Sequence, residues 1–450
     1  MSATTIDTMA ALTGFSREAV EELSRLKGEP DWVRQQRLAA WAVYEALPFP
    51  QRTDEEWRRT DLRALKLDRL RPFQGFGLDG HVPAALADPT DPAATVSAGE
   101  LNAGVVVQQD ARTLRTEIAP EAAAQGVIFT DLDTAFRDHG DLIRQHFMTK
   151  AVPSDFGKFE ALHAALWQGG SFLYVPAGVT VELPFRAFVR ATEAGGSVFS
   201  HTLAVLEEGA EAFLVDAYAS PSLEGQGFTS AVVEHVLAAD AKLRYVQVQD
   251  WGRNVWSFMT ERSLLADDAT LNSLHVTLGA RFSKCSIAAR LQGKNSLAEM
   301  LGIYFGDGDQ FFDHHTWQLH ESPYTTSDLE FKGALKGSAR SVYSGLIKVS
   351  EGAQKTDAYQ QNRNLVLSRT ARADSIPNLE IGANDVRCTH GATISQVEEE
   401  HLFYLQARGV PRTEAQKLIV EGFFRPVIDR VPVEEIQGFL ESAIARKVGI

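Results

Sequence analysis

The sequence predicts a mainly β protein: an irregular β-solenoid with helical regions before and after it. Three observations carry this. From about Ser171 to Val386, runs rich in Val, Phe, Tyr, Leu and Thr return about every ten residues, separated by Gly, Asp, Asn or Pro turns. The acidic, Gly-bearing corner Leu206-Glu207-Glu208-Gly209-Ala210 has a counterpart in Val349-Ser350-Glu351-Gly352-Ala353, the kind of corner that stacked coils repeat. On either side of this stretch the apolar spacing switches to three and four residues. Roughly 200 residues of short strands is also large for one sandwich.

The first helical pattern runs from Phe15 to about Leu70. Ala19, Val20, Leu23 and Leu26 mark one helix and Val33, Leu38, Trp41 and Tyr44 a second. Gly28-Glu29-Pro30-Asp31 separates them, with Pro30 suited to a helix start, and Pro48 and Pro50 end the pair. Thr53-Asp54-Glu55-Glu56 has capping-box spacing and predicts a short third helix carrying Trp57. Residues 75 to about 105, with Pro83, Pro89 and Pro92, read as a linker. Strands are expected at Val105-Val107 and Val127-Phe129, and a helix from about Leu132 to Phe147.

Within the β region, strands are expected at Phe172-Val175, Val198-Val205, Ala212-Val215, Ala231-Leu237 and Leu243-Val248. Helices return at about Val397. The first runs through His401, Leu402 and Leu405 to Gly409, a second opens at Thr413, and a last opens at Pro432. The expected organisation is a helical region and linker over 1–100, an α+β lead-in over 101–170, the solenoid over 171–390 and a helical domain over 391–450.

Composition narrows the function. The 450 residues are 44% hydrophobic and 23% charged, as in a folded soluble chain, and the net charge of −15 is the wrong sign for a global nucleic-acid footprint. No apolar run reaches membrane-spanning length, and the N-terminus lacks a basic segment followed by an apolar one, so a cytoplasmic protein with reduced thiols is expected. Two cysteines, Cys285 and Cys388, cannot form a disulfide framework or a self-contained Cys-rich metal site. No phosphate-cradling G-x-x-x-x-G-K, no G-x-S-x-G elbow and no H-E-x-x-H occurs, and Gly302, Gly306 and Gly308 read as turn residues. The chain itself should not hydrolyse ATP.

Two constellations could carry chemistry. In Phe311-Phe312-Asp313-His314-His315-Thr316-Trp317-Gln318-Leu319-His320, a strand puts His314, Thr316, Gln318 and His320 on one side and His315, Trp317 and Leu319 on the other. His314 and His320 then stand about 20 Å apart and cannot share one metal unless the strand bends. They are hydrogen-bonded strand histidines or parts of a site. In Arg387-Cys388-Thr389-His390-Gly391, Cys388 and His390 share a strand face, either as soft-metal ligands or as a small apolar residue beside an incidental histidine. Cys285 reads as core, and Glu398-Glu399-Glu400 as a solvated helix start.

Several separated motifs resemble the SufB/SufD family of iron–sulfur cluster assembly scaffolds. They are Ala164-Ala165-Leu166-Trp167-Gln168-Gly169-Gly170 leading into Phe172-Leu173-Tyr174-Val175-Pro176-Ala177-Gly178, then Thr325-Thr326-Ser327-Asp328-Leu329 with Lys332-Gly333, then Gly352-Ala353-Gln354-Lys355-Thr356-Asp357, and finally Cys388-Thr389-His390-Gly391-Ala392-Thr393 followed by Glu399-Glu400-His401-Leu402-Phe403-Tyr404-Leu405. Two departures place the chain nearer SufD. SufB carries a cysteine in a T-Q-C-D setting where this chain has Gln361-Asn362-Arg363-Asn364, and a glutamate after the matching histidine where this chain has Gly391.

The resemblance implies a right-handed parallel β-helix between helical regions. It implies a SufB-like partner joined at the ends of the two β-helices, and a SufC-like ATPase docked on the C-terminal helices, whose apolar residues Leu418, Ile419, Phe423 and Phe424 are the candidate contacts. It gives His390 a metal-binding role at the junction, with Cys388 as a second candidate. No cofactor is expected to bind the single chain stably; iron or an iron–sulfur cluster would be held transiently at the SufB interface. Two other readings stand against this one: a cupin-like metal-dependent enzyme using His314, His315 and His320, and a passive interaction protein without a metal site.

Overall fold

The computed structural model describes residues 13–73, 102–430 and 434–449. Most of the expected linker, and Pro432, lie outside these residues. The core is a two-sided parallel solenoid. One sheet has ten strands: β1 (Gly104–Gln109), β2 (Arg112–Ile118), β5 (Phe185–Arg190), β7 (Glu211–Ala219), β9 (Lys242–Asp250), β11 (Thr270–Thr277), β13 (Leu297–Gly306), β15 (Thr326–Leu335), β17 (Asp357–Val366) and β19 (Arg387–Gln396). The other has nine: β3 (Ile128–Asp131), β4 (Gly169–Val175), β6 (Ser197–Leu206), β8 (Gly227–Leu237), β10 (Val255–Leu265), β12 (Phe282–Leu291), β14 (Phe311–His320), β16 (Arg340–Val349) and β18 (Arg372–Ile381).

From β4 onward each strand pairs in parallel with the strand two places later, so each coil gives one strand to each sheet. Trp256 pairs with Phe282 and Arg340 with Arg372, which brackets the coil length between 26 and 32 residues. Alternation along every strand sends one set of side chains into the solenoid and the other outward. Leu214, Leu243, Tyr245, Leu271, Met300, Tyr304, Phe312, Phe331 and Tyr343 fill the interior. Burying each such side chain contributes about 1.5–3 kcal/mol. Gly302 and Gly306 are strand residues of β13 rather than turns, and only Gly308 sits in a turn, at φ 61°. A Cβ on Gly302 would lie 2.4 Å from the Phe331 ring, so the interior ring of the next coil requires the glycine.

The two outer faces are covered by opposite ends of the chain. Helix α1 (Arg17–Lys27), capped by Ser16 and ended by Gly28 at φ 62°, and α2 (Asp31–Ala46), entered through Pro30, lie on the nine-stranded side. The stretch expected as one helix from Leu132 to Phe147 is two, α4 (Leu132–Asp138) and α5 (Gly140–His146), broken at His139; a short α3 (Pro120–Ala124) precedes them. Helix α6 (Lys158–Leu166) presses Phe159 onto Phe258 at 4.1 Å between ring centroids. The third helix expected after Thr53 is a single 3-10 turn, Glu55–Trp57, with no side-chain cap. Trp57 is held instead by the Phe159 ring at 5.5 Å and by the Lys284 ammonium, so tertiary contacts override the local capping signal.

At the other terminus, α7 (Glu399–Gln406), α8 (Arg412–Ile428) and α9 (Glu434–Val448) turn back over the ten-stranded side. Val420, Phe424, Val427, Leu440 and Ile444 pack on Val248, Leu274, Val276 and Phe305. Polar ties fix the arrangement: the Lys332 ammonium donates to the Phe423 carbonyl, and that of Lys447 to Asp307 and Gln310.

Candidate functional site

The helices that return over the ten-stranded side leave the last coil bare. Among the described residues, strand β18 pairs only with β16 and β19 only with β17, so both sheets end there in a free parallel edge. The inward faces of these strands have no coil beyond them. Leu379, Ile381 and Ile394 are therefore 40, 38 and 52% exposed although they continue the interior rows. In β19 Cys388 pairs with Ala358 and His390 with Gln360. Ala358 and Gln360 are buried interior residues, so Cys388 and His390 share the inward face, as their spacing predicts.

The two differ chemically. Cys388 is half-buried against Ile347, Val349, Ala353 and Ala358. Burial first, and then the Asp357 charge, raise its thiol pKa, which disfavours the thiolate that a metal needs. His390 is exposed and its ring has no partner among the described residues. Beneath it, the buried Gln360 amide leaves both Oε1 and Nε2 without a partner. Such a group costs about 1–3 kcal/mol and marks a place that something else completes. The floor is otherwise closed: Tyr304 donates to Asn364 at 2.5 Å, Asn364 to Asn362 at 2.7 Å, and Ser375 to Asn362 at 2.7 Å. Among the described residues, no three His, Cys, Asp or Glu side chains come together as a metal site.

The histidine strand is β14, and its facing is as expected. His314 points inward and meets the Thr277 hydroxyl at 3.1 Å, and His320 meets Thr325 and Ser327 at 2.7 and 2.8 Å. His315 faces outward and binds the Asp313 carboxylate at 2.9 Å. The three imidazoles do not converge, and the parallel solenoid is not the cupin arrangement that the enzyme reading requires. Cys285 is buried in the interior, where desolvation pushes its thiol up to about 11.

The residue pattern did not single out the titratable groups held inside. Burial lifts Asp216 to about 6 despite hydroxyls from Thr202 and Tyr245, and lifts Glu261 well above the usual carboxylate range. His235 and His275 are pushed down to about 3. A second buried chain joins the N-terminal layer to the solenoid. His163 contacts Ser230 and His201, and His201 contacts Glu234, whose carboxyl accepts from the Met148 and Val152 amides. The signal available was the odd polar residue on an inward strand position, as in Asp216 and Glu261, which alternation alone does not separate from a solvated one.

The apolar residues proposed for partner binding on α8 fare unequally. Phe424 is wholly buried against the solenoid, Ile419 and Phe423 are half-buried on the same cluster, and Leu418 is 44% exposed. The larger exposed rings of this region are Phe403 at 71% and Tyr404 at 55%, both on α7. No helix among the described residues is long and apolar enough to cross a membrane.

Comparison with known proteins agrees with this architecture. Residues 188–423 match the model of the SUF system FeS cluster assembly SufBD core domain, and residues 21–187 match the SufBD protein N-terminal region. The iron-sulfur cluster assembly protein SufB of Bacillus subtilis is 30% identical over 427 residues, 94% of this chain and 90% of that protein. SufBD family proteins of Staphylococcus saprophyticus and Staphylococcus epidermidis show the same identity and coverage. With both family models spanning the solenoid and its helical cover, the chain belongs to the SufBD family of iron–sulfur cluster assembly proteins.

Proposed function

We propose that this chain is the SufD-like half of a scaffold, joined through its bare last coil to a SufB-like partner. The single observation that carries this reading is that both sheets stop at free edges with apolar inward residues uncovered. A second solenoid end of matching geometry would continue both sheets and bury Leu379, Ile381 and Ile394. His390 then lies inside the junction rather than on a surface. As a neutral imidazole it supplies one ligand to iron or a nascent cluster, while thiolate and carboxylate ligands come from the partner. The SufD-like assignment is supported by the inward row of β17, which reads Ala358, Gln360, Asn362, Asn364 and contains no thiol. It is supported also by Gly391 after His390.

The chain acts as a scaffold and not as an enzyme in this reading, and a SufC-like ATPase supplies the driving force. Leu418, with Phe403 and Tyr404, offers the exposed apolar contact on the C-terminal helices, and Ile419 and Phe423 support it from behind.

The test is co-purification of the full chain, alone and with SufB-like and SufC-like proteins, with iron and sulfide measured in each sample. The expected result is a colourless single chain, a stable complex with both partners, and cluster only in the complex. His390→Ala should leave the complex assembled and lower its iron and sulfide. Tight stoichiometric iron on the chain alone, or unaltered cluster content in His390→Ala, would overturn the reading.

A further inference from the structure

A groove of about 640 Å³ lies on the outer face of the nine-stranded sheet, reaching β16 one strand before the last coil, and its lining is cationic in an acidic chain. Four cationic residues line it, Lys150, Arg262, Arg290 and Lys348, against two carboxylates, Glu56 and Glu321. Arg290 is bound to Glu321 and Lys348 to Glu380, which leaves Arg262 and Lys150 as the cations without an ion pair among the described residues.

Arg262 is 5% exposed. Its guanidinium is held between the rings of Phe156 and Trp317, 4.7 and 5.1 Å from their centroids. Nη1 donates to the carbonyls of Glu261 and Ser286, and Nη2 donates one hydrogen to Ser286 Oγ. The remaining donors are Nε and the second hydrogen of Nη2, the side of the fork that matches two oxygens of one anion. The nearby Glu160 and Glu56 act on it without an ion pair, and burial, then the Asp216 charge, raises the Glu261 carboxyl well above its usual range. Desolvation draws the guanidinium pKa down only to about 10, so it stays charged at neutral pH. Glu160 and Glu56 offset this charge only through space, and no carboxylate among the described residues pairs with the guanidinium, so its open donors stay available to an anion.

We propose that this groove binds a small phosphate monoester with a planar or apolar body. The phosphate engages the free side of the Arg262 fork, Lys150 answers its second charge, and the body lies along Trp317, Leu319 and Pro153. Two unpaired cations favour a dianion over a simple carboxylate, and the volume suits a ligand of that size. The inference is independent of the junction reading, because none of these residues belongs to the last coil.

The test is calorimetric titration of the full chain with phenyl phosphate, with inorganic phosphate and benzyl alcohol as the two halves of the probe. Saturable one-to-one binding of phenyl phosphate, tighter than either half, is the expected result. Arg262→Lys keeps the charge and loses the fork, and should weaken binding about tenfold or more. Should that buried substitution unfold the chain, Phe156→Ala and Lys150→Gln, both at exposed positions, must each weaken binding by a measurable factor while the melting temperature holds. Absence of saturable binding to the wild-type chain, equal binding by a folded Arg262→Lys variant, or inorganic phosphate binding as tightly as phenyl phosphate would each overturn the proposal.

Discussion

The two ends of the solenoid are built from the same coil and finished in opposite ways. At the first end the sheets stop with β2 and β3, which run antiparallel to their neighbours, and the helices α1, α2 and α6 lie across the flank. Arg37 shows how much is invested there. It is wholly buried, forks onto Glu29 at 2.8 and 2.5 Å, donates to the Ala165 carbonyl and lies 4.1 Å over the Trp167 ring. At the last end, β18 and β19, ten residues each, have nothing antiparallel after them and no helix across them among the described residues. A bare sheet edge is a hazard that proteins ordinarily cover, charge or twist away. The last coil ends in parallel strands with apolar residues on their inner face, and this is the surface to which the proposed pairing assigns a partner.

The contrast can be broken most severely at the finished end. Arg37→Ala strips the partner from a buried Glu29 and should cost about 3–5 kcal/mol, read as a fall in the urea midpoint. Acid should act on the same region. His163 is held well below its usual pKa and His201 near 3, both by burial. Each stays neutral in the native protein yet can protonate in the unfolded chain below pH 6.5. Each histidine's share is therefore kept above 6.5 and lost as pH falls toward 4, by on the order of 1.4 kcal/mol per pH unit, while Glu234, lifted to about 8 by burial, works in the opposite sense down to about its unfolded pKa and offsets one of the two. Melting temperatures across that range should slope downward, and His201→Gln should make the slope shallower; an unchanged slope would remove His201 from the account.

At the bare end, substitutions should affect association far more than folding. Ile394→Lys should change chain stability by no more than about 0.5 kcal/mol, because the side chain is already half in solvent. Pairing with a SufB-like partner should weaken at least tenfold in a sedimentation or light-scattering titration. The smallest expected shift in stability is that of His390→Ala, within about 0.5 kcal/mol, with the change appearing only in cluster content. A large loss of stability in either variant would mean that the last coil is finished from within.

Much of this plan could be read from the chain. Strand-length runs with polar corners gave the solenoid, and β4, β6, β7, β8 and β9 all contain the segments named from their residues. The facing of Cys388 with His390, and of His314 with His320, follows from the two-residue period, which no tertiary contact alters. The short 3-10 turn at Trp57 did not, because its conformation is fixed by rings and an ammonium contributed by residues more than a hundred positions away. Nor could a sequence tell that Phe424 serves the solenoid while Phe403 faces solvent, since both sit in helices of similar apolar content. The asymmetry of the two ends is a property of what lies beyond a strand, and local pattern holds no record of that. Gly302 shows the same limit on a smaller scale: a glycine in a run reads as a turn until the Phe331 ring of the next coil is placed against it.

The bare last coil also bears on number. A monomer with two reactive ends polymerises; a monomer with one can only terminate. In the proposed pairing, β2 and β3, reversed in direction at the first end, offer no parallel strand on which a further coil could stack, so joining two such chains tail to tail would leave no equivalent surface for lengthening into a filament. Under that proposal the antiparallel strands at the start of the chain would limit stoichiometry as well as adding stability, holding a protein built from a stackable repeat to a pair.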